Sequence, residues 1–289
     1  MSETSTTSAL SQVRTRVQLR PAEWVACTYF LYTAGMASLH AVGPWRLAWA
    51  FALPLVACAA AWIETRNSQP WSRVLRKLYP TALILAAYWQ VDWFQGTPVT
   101  RTTGLWLSWD RQILQGWGLA GLIESCGPVL PFVLETCYML LYSVPPLTVV
   151  YLVATRRGDR VDRFLGTLML GTLAVYALLP HYPVISPRLA FPEDLKPVWT
   201  LVRGLNLAVL DRLDIATSVF PSGHVGVAFA SAFGLWRVLP DRRWLCWLVL
   251  ADACLVFTAT IYGRYHYAVD GAASIVIALV AWRVSVWME

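Results

Sequence analysis

Charge is scarce in this sequence. Only 14% of its 289 residues are Asp, Glu, Lys or Arg, against about a quarter in an ordinary soluble domain. The shortage is concentrated in runs. Residues 24–45, 136–155, 164–187 and 215–236 contain none of the four. Stretches of roughly 20 apolar residues match a hydrocarbon core about 30 Å thick, which excludes a merely greasy soluble enzyme. Metal-binding patterns are missing too. The six cysteines, Cys27, Cys58, Cys126, Cys137, Cys246 and Cys254, fall mostly inside apolar stretches without ligand spacing. They read as buried thiols, with no disulfide framework and no zinc site. No internal repeat is evident.

What is present is 57% hydrophobic, with sixteen Trp. The expected fold is all-α, a polytopic membrane bundle of six to eight helices. Candidate spans run over 24–43, 46–63, 78–92, 130–154, 162–181, 217–238, 244–263 and 267–286. Residues 93–129, with Trp93, Phe94, Trp106, Trp109 and Trp117 among scattered charges, read as interfacial helices or a re-entrant segment. After residue 160 the one long non-spanning outer loop is 182–216. The chain divides into a polar, basic tail (1–23), N-terminal membrane helices with an interfacial segment (24–129), and a helical core (130–289). The tail resembles the inner flank of a first span more than a cleavable signal.

The net charge of +6 is spread through short loops, so it points to orientation and anionic lipid rather than nucleic acid. An inside N-terminus leaves fifteen of the twenty-three basic residues on the inner side. The short loops Arg156-Arg157-Gly158-Asp159-Arg160 and Asp241-Arg242-Arg243 are the reliable part of that bias. The expected location is the cell's inner (plasma) membrane, with the polar cluster on the extracytoplasmic side.

Of four histidines, two stand where apolar runs begin or end. His266 and Asp270 are four apart, hence on one helical face. A carboxylate so placed fixes one imidazole tautomer and stabilises the imidazolium, making His266 a candidate nucleophile toward phosphorus. An interfacial His beside a helix-capping Asp is the plainer alternative. Pro221-Ser222-Gly223-His224 precedes an apolar helix. Ser222 can cap it, Gly223 admits close approach, and the first-turn N–H groups face any bound anion. His224 there suits general acid–base work; a helix start with a snorkelling His is the alternative. Asp92, Asp110, Glu124 and Glu135 lie near span boundaries. Glu135 and Asp92 are candidates for a polar headgroup or acceptor alcohol, and each is equally readable as an interfacial carboxylate. Asp252 lies inside a span and should be paired within the bundle.

The two blocks resemble the type 2 phosphatidic acid phosphatase (PAP2) superfamily. Pro221–His224 matches its second signature and His266-x-x-x-Asp270 the end of its third. The resemblance implies a PAP2-like catalytic core, His266 as nucleophile, His224 as acid/base, and Ser222 with Gly223 as phosphate ligands. The first signature, Lys, six residues, then Arg-Pro, aligns with His181 and Arg188, with Leu189 in place of Pro. Arg188 is the candidate phosphate clamp and His181 a weaker partner. The third signature's Arg falls on Thr260; Arg264 is the candidate substitute charge. These departures are similar to the branch of inositol phosphorylceramide and sphingomyelin synthases. The resemblance implies phosphoryl hydrolysis or transfer through a phosphohistidine, without cofactor or metal. The substrate would be a phospholipid or a polyprenyl- or sphingolipid-like phosphate. An anionic-lipid or solute transporter and a non-catalytic membrane scaffold stay open as alternatives.

Overall fold

The computed structural model describes residues 17–66, 69–191, 196–213, 215 and 219–288. Residues 1–16 of the basic tail, with Arg14 and Arg16, and the expected start of the sixth span at 217 lie outside the described residues. Everything regular among those described is helical. In chain order the α-helices are α1 (Pro21–Leu39), α2 (Pro44–Arg66), α3 (Pro70–Val91), α4 (Thr100–Arg111), α5 (Leu119–Glu124), α6 (Val129–Leu140), α7 (Val144–Ala154), α8 (Val161–Leu178), α9 (Pro187–Ala190), α10 (Leu201–Leu213), α11 (Gly223–Val238), α12 (Arg243–Tyr262) and α13 (Ala268–Ser285). Among the described residues five helical stretches are long and apolar enough to cross a membrane: Pro44–Arg66, Val129–Ala154, Gly158–His181, Arg243–Tyr262 and Ala268–Met288. The protein is therefore an integral membrane protein.

The centre is α8 and α11, packed on each other and together on α13. Residues on every side of α11 are buried, as expected of a helix apolar all round. Small side chains let the backbones close. A Cβ on Gly171 would stand 2.9 Å from the Cβ of Ala230, so α8 and α11 touch there with no room for a methyl group. Close approach of this kind drives helix association where lipid removes the hydrophobic term.

Two boundaries differ from the sequence expectation. The third helix begins at Pro70, not near 78, and Arg73, Arg76 and Lys77 lie in its first two turns. Arg76 is tolerated because it is paired: it holds Glu23 at 2.6 Å and Glu64 at 2.6 Å. Arg20 continues the network to Glu64 at 3.0 Å and Asp162 at 3.1 Å. The network ties α1, α2, α3 and α8 at one end of the bundle. The expected loop 182–216 carries two helices, α9 and α10, the latter lying on α6. The thiols also differ in part: Cys58, Cys126 and Cys254 are exposed. Cys58 and Cys254 lie on spanning helices, where an apolar residue facing lipid costs nothing.

Asp252 of α12 meets Cys137 of α6, a pairing within the bundle. Residues 93–129 form the short helices α4 and α5, joined by a π-helical turn at Gln112–Gly116.

Candidate phosphoryl-transfer site

At the end of the bundle opposite the ion network, three loops converge. The first is made by the termination of α12. Arg264 adopts a left-handed backbone, φ 64°, and the N–H groups of Tyr265 and Arg264 return to Thr260 O at 2.9 Å and Ile261 O at 3.2 Å. This is a Schellman turn with Arg where Gly is usual. The turn reverses the chain and sends His266 back toward the bundle. Its N–H also bonds Thr260 O, at 3.0 Å, so Thr260 serves the turn through its carbonyl. Helix α13 then starts with Asp270 accepting from the Tyr267 N–H at 2.9 Å.

The second loop is Pro221–His224. The Ser222 hydroxyl caps α11 by accepting from Val225 N at 3.3 Å. The Ser222 N–H donates to Asp270 O at 3.2 Å, and Ser274 Oγ donates to Ser222 O at 2.8 Å. Three backbone positions of the two motifs are thereby stitched together. His224 Nδ1 lies 3.2 Å from His266 Nε2. His266 Nδ1 faces Val219 O at 3.0 Å and Asp270 Oδ2 at 3.5 Å. This arrangement suits the tautomer with the proton on Nδ1, leaving the Nε2 lone pair toward His224. Both imidazoles and Asp270 are buried.

The third loop supplies Arg188 from α9. It lines the same cavity as Gly223, His224 and His266, together with Tyr138 and Tyr265. Arg188 also pairs with Asp211 of α10 at 2.6 Å. The cavity volume is about 10 Å³, near what one water requires. His224 is sandwiched by aromatic rings: Tyr138 stacks on it with centroids 4.6 Å apart and on Tyr265 at 4.2 Å, while Tyr142 meets it edge-on at 5.4 Å.

Other candidates stand elsewhere. His181 bonds Tyr32 OH at 2.7 Å, turned toward α1. Arg264 folds back on its own helix, reaching Ile261 O and Tyr262 O at 3.3 Å each, and its guanidinium lies 4.4 Å from the Phe191 ring. Burial lowers its pKa to about 10 against the opposing pull of Asp110, so it stays charged near neutrality. Glu135 is buried under the site, bound to Arg203 at 2.8 Å, Asn206 Nδ2 at 2.7 Å and Tyr265 OH at 2.6 Å. Asp92 is exposed and accepts from Gln95. Glu124 accepts from Tyr262 OH at 3.1 Å.

Two contributors had little sequence signal. Tyr138 sits in an apolar run where any aromatic reads as packing. Arg203 reads as a loop cation until α10 places it on Glu135. In all, Arg188, Gly223, His224 and His266 line the cavity, Ser222 and Asp270 stand directly behind them, and His181, Asp92, Glu135 and Arg264 are off its wall.

Sequence comparison extends the picture beyond these loops. A PA-phosphatase related-family protein of Dictyostelium discoideum is 28% identical over 127 residues, covering 42% of this chain and 22% of the relative. The chain thus spans about a fifth of the length of that curated relative. No solved structure matches the sequence. The PAP2 superfamily profile matches residues 107–284, from the middle of α4 through α13 and across all three loops. With well over half of its length inside that match, the chain belongs to the PAP2 superfamily.

Proposed function

We propose that the protein is a membrane-embedded phosphatase or phosphotransferase that works on a phosphate-bearing lipid through a phosphohistidine. One observation carries the reading: His266 presents Nε2 to His224 at 3.2 Å while its Nδ1 is held by Val219 O and faces Asp270. A nucleophile and an acid/base thus line one cavity with Arg188, and an orienting carboxylate stands behind the nucleophile.

In the first step His266 Nε2 attacks phosphorus and a P–N bond forms as the bond to the leaving oxygen breaks. His224, protonated once the anionic substrate is bound, gives its proton to that oxygen. Arg188 and the N–H groups at the α11 start stabilise charge on the phosphoryl oxygens. In the second step neutral His224 takes a proton from the incoming hydroxyl, which attacks phosphorus and breaks the P–N bond. His266 is then free and His224 is charged again. A phosphoryl group is larger than the observed cavity, so the contact between the two imidazoles must part to admit it.

Water as acceptor makes the protein a lipid phosphatase, as the name of the Dictyostelium relative suggests. An alcohol acceptor makes it a transferase of the inositol phosphorylceramide or sphingomyelin synthase kind. The basic-residue asymmetry favours an extracytoplasmic site in the plasma membrane.

The test incubates purified protein with a panel of phosphorylated lipids, each with and without alcohol acceptors, and identifies products by mass spectrometry. Inorganic phosphate release selects the phosphatase, and headgroup transfer the transferase. His266→Ala should abolish turnover without unfolding the protein. Near-normal turnover by that variant would refute the mechanism.

A further inference from the structure

Helix α4 precedes all three loops in sequence and touches each of them. Thr103, Trp106 and Asp110 recur at three- and four-residue intervals and so share one face. The Ile185 N–H donates to Thr103 Oγ1 at 3.5 Å, three residues before Arg188. Trp106 packs on Phe220, centroids 5.1 Å apart, immediately before Pro221. It also meets Tyr267, next to His266, at 5.8 Å. Asp110 Oδ1 accepts from the Ala268 N–H at 3.0 Å. Just before α4 begins, the Val99 N–H bonds Pro183 O at 2.9 Å. The opposite face, with Leu105 and Trp109, is exposed.

Asp110 itself is 1% exposed, an expensive place for a carboxylate that only fills space. Its bond falls at a sensitive point. Ala268 is the first residue of α13, and its N–H belongs to the first turn, which has no partner within the helix. Asp270 serves the neighbouring donor, its Oδ2 accepting from Tyr267 N, and the Ala268 N–H goes to Asp110 instead. Ala268 lies between His266 and Asp270, so any drift of this turn changes their separation.

We propose that Asp110 is a positioning residue for the His266–Asp270 turn, and that α4 is the bracket setting the three loops against one another. The proposal rests on the phosphotransfer reading above. It assigns to α4 the placement of Nε2 and the distance from His266 to Asp270, with no contact to the substrate.

The experiment uses the full chain in nanodiscs and compares wild type, D110A, D110N and H266A. Orthovanadate, a phosphate analogue that a nucleophilic imidazole can bind, is titrated by its effect on thermal unfolding. Turnover of phosphatidic acid vesicles is followed in parallel. D110A should weaken vanadate binding and lower kcat by roughly 10- to 100-fold, the scale of a 1 Å misplacement, with KM nearly unchanged. D110N keeps an oxygen acceptor for Ala268 N–H and should stay within a few-fold of wild type. A folded D110A that binds vanadate as tightly as wild type overturns the assignment, and so does a D110N as impaired as D110A. Wild type that binds vanadate no better than H266A overturns the phosphotransfer reading, and this assignment with it.

Discussion

Replacing Gly223 with Ala adds one methyl group at the point where α11 begins. An ideal Cβ there would lie 2.8 Å from Tyr176 Cε1, whereas carbon atoms rest at about 3.5–4.0 Å. The ring cannot swing away, because Tyr176 is fully buried and packs on Tyr88 at 5.8 Å. The start of α11 must therefore move by roughly 1 Å relative to α8. Two effects on stability oppose. Ala favours helix over Gly by up to about 1 kcal/mol, and overpacking costs about 1–3 kcal/mol, so a modest net loss is expected. The effect on activity is larger. His224 is the next residue, and a 1 Å shift is a third of its 3.2 Å approach to His266; such misplacement costs on the order of 100-fold. The assay pairs thermal unfolding in detergent with kcat on whichever lipid phosphate the wild type turns over. A small drop in Tm with a fall of 10-fold or more in kcat is expected. A G223A enzyme with wild-type kcat would refute both the tight contact and the dependence of catalysis on this spacing.

Glu135→Ala should destabilise by about 3–5 kcal/mol, because it leaves Arg203 buried without its carboxylate; the Tm of the double variant Glu135→Met, Arg203→Met should recover most of that loss. Asp110 gives a pH signature. Burial raises its pKa to about 7, helped by Asp270 and opposed by the Ala268 N–H and Arg264. The folded state therefore holds the proton more tightly than the unfolded chain from about pH 4 to 7. Through that window stability falls as pH rises, by up to about 1.4 kcal/mol per pH unit. Melting curves of wild type and D110N across pH 4–8 should differ by this slope, and parallel curves would contradict it.

The legibility of the site in the sequence follows from how local each signal is. His266 stands two residues before α13 and Asp270 in its first turn, so they meet across the helix entry and not along one helical face as the spacing predicts. Ser222 caps its own helix three residues on, and both signals need only neighbours along the chain. Arg264 reads as a cation for phosphate because nothing in its spacing reveals the left-handed turn that aims its guanidinium at Phe191. Glu135 read as an interfacial carboxylate because its partner Arg203 is 68 residues away. The sequence places the start of α3 later than Pro70 for a related reason: three basic residues in ten argue against a span until Glu23 and Glu64 are seen beside Arg76.

By itself the sequence determined that this is a helical membrane protein and which residues are candidates for its chemistry. Charge-free runs of spanning length and the caps of α11 and α13 are properties of consecutive residues. Tertiary structure alone decided that His224 and His266, 42 residues apart, touch, that Arg188 joins them, and that α4 contacts all three loops. Those distances depend on how closely α8, α11 and α13 pack, through contacts such as Gly171 against Ala230. No local periodicity encodes that packing.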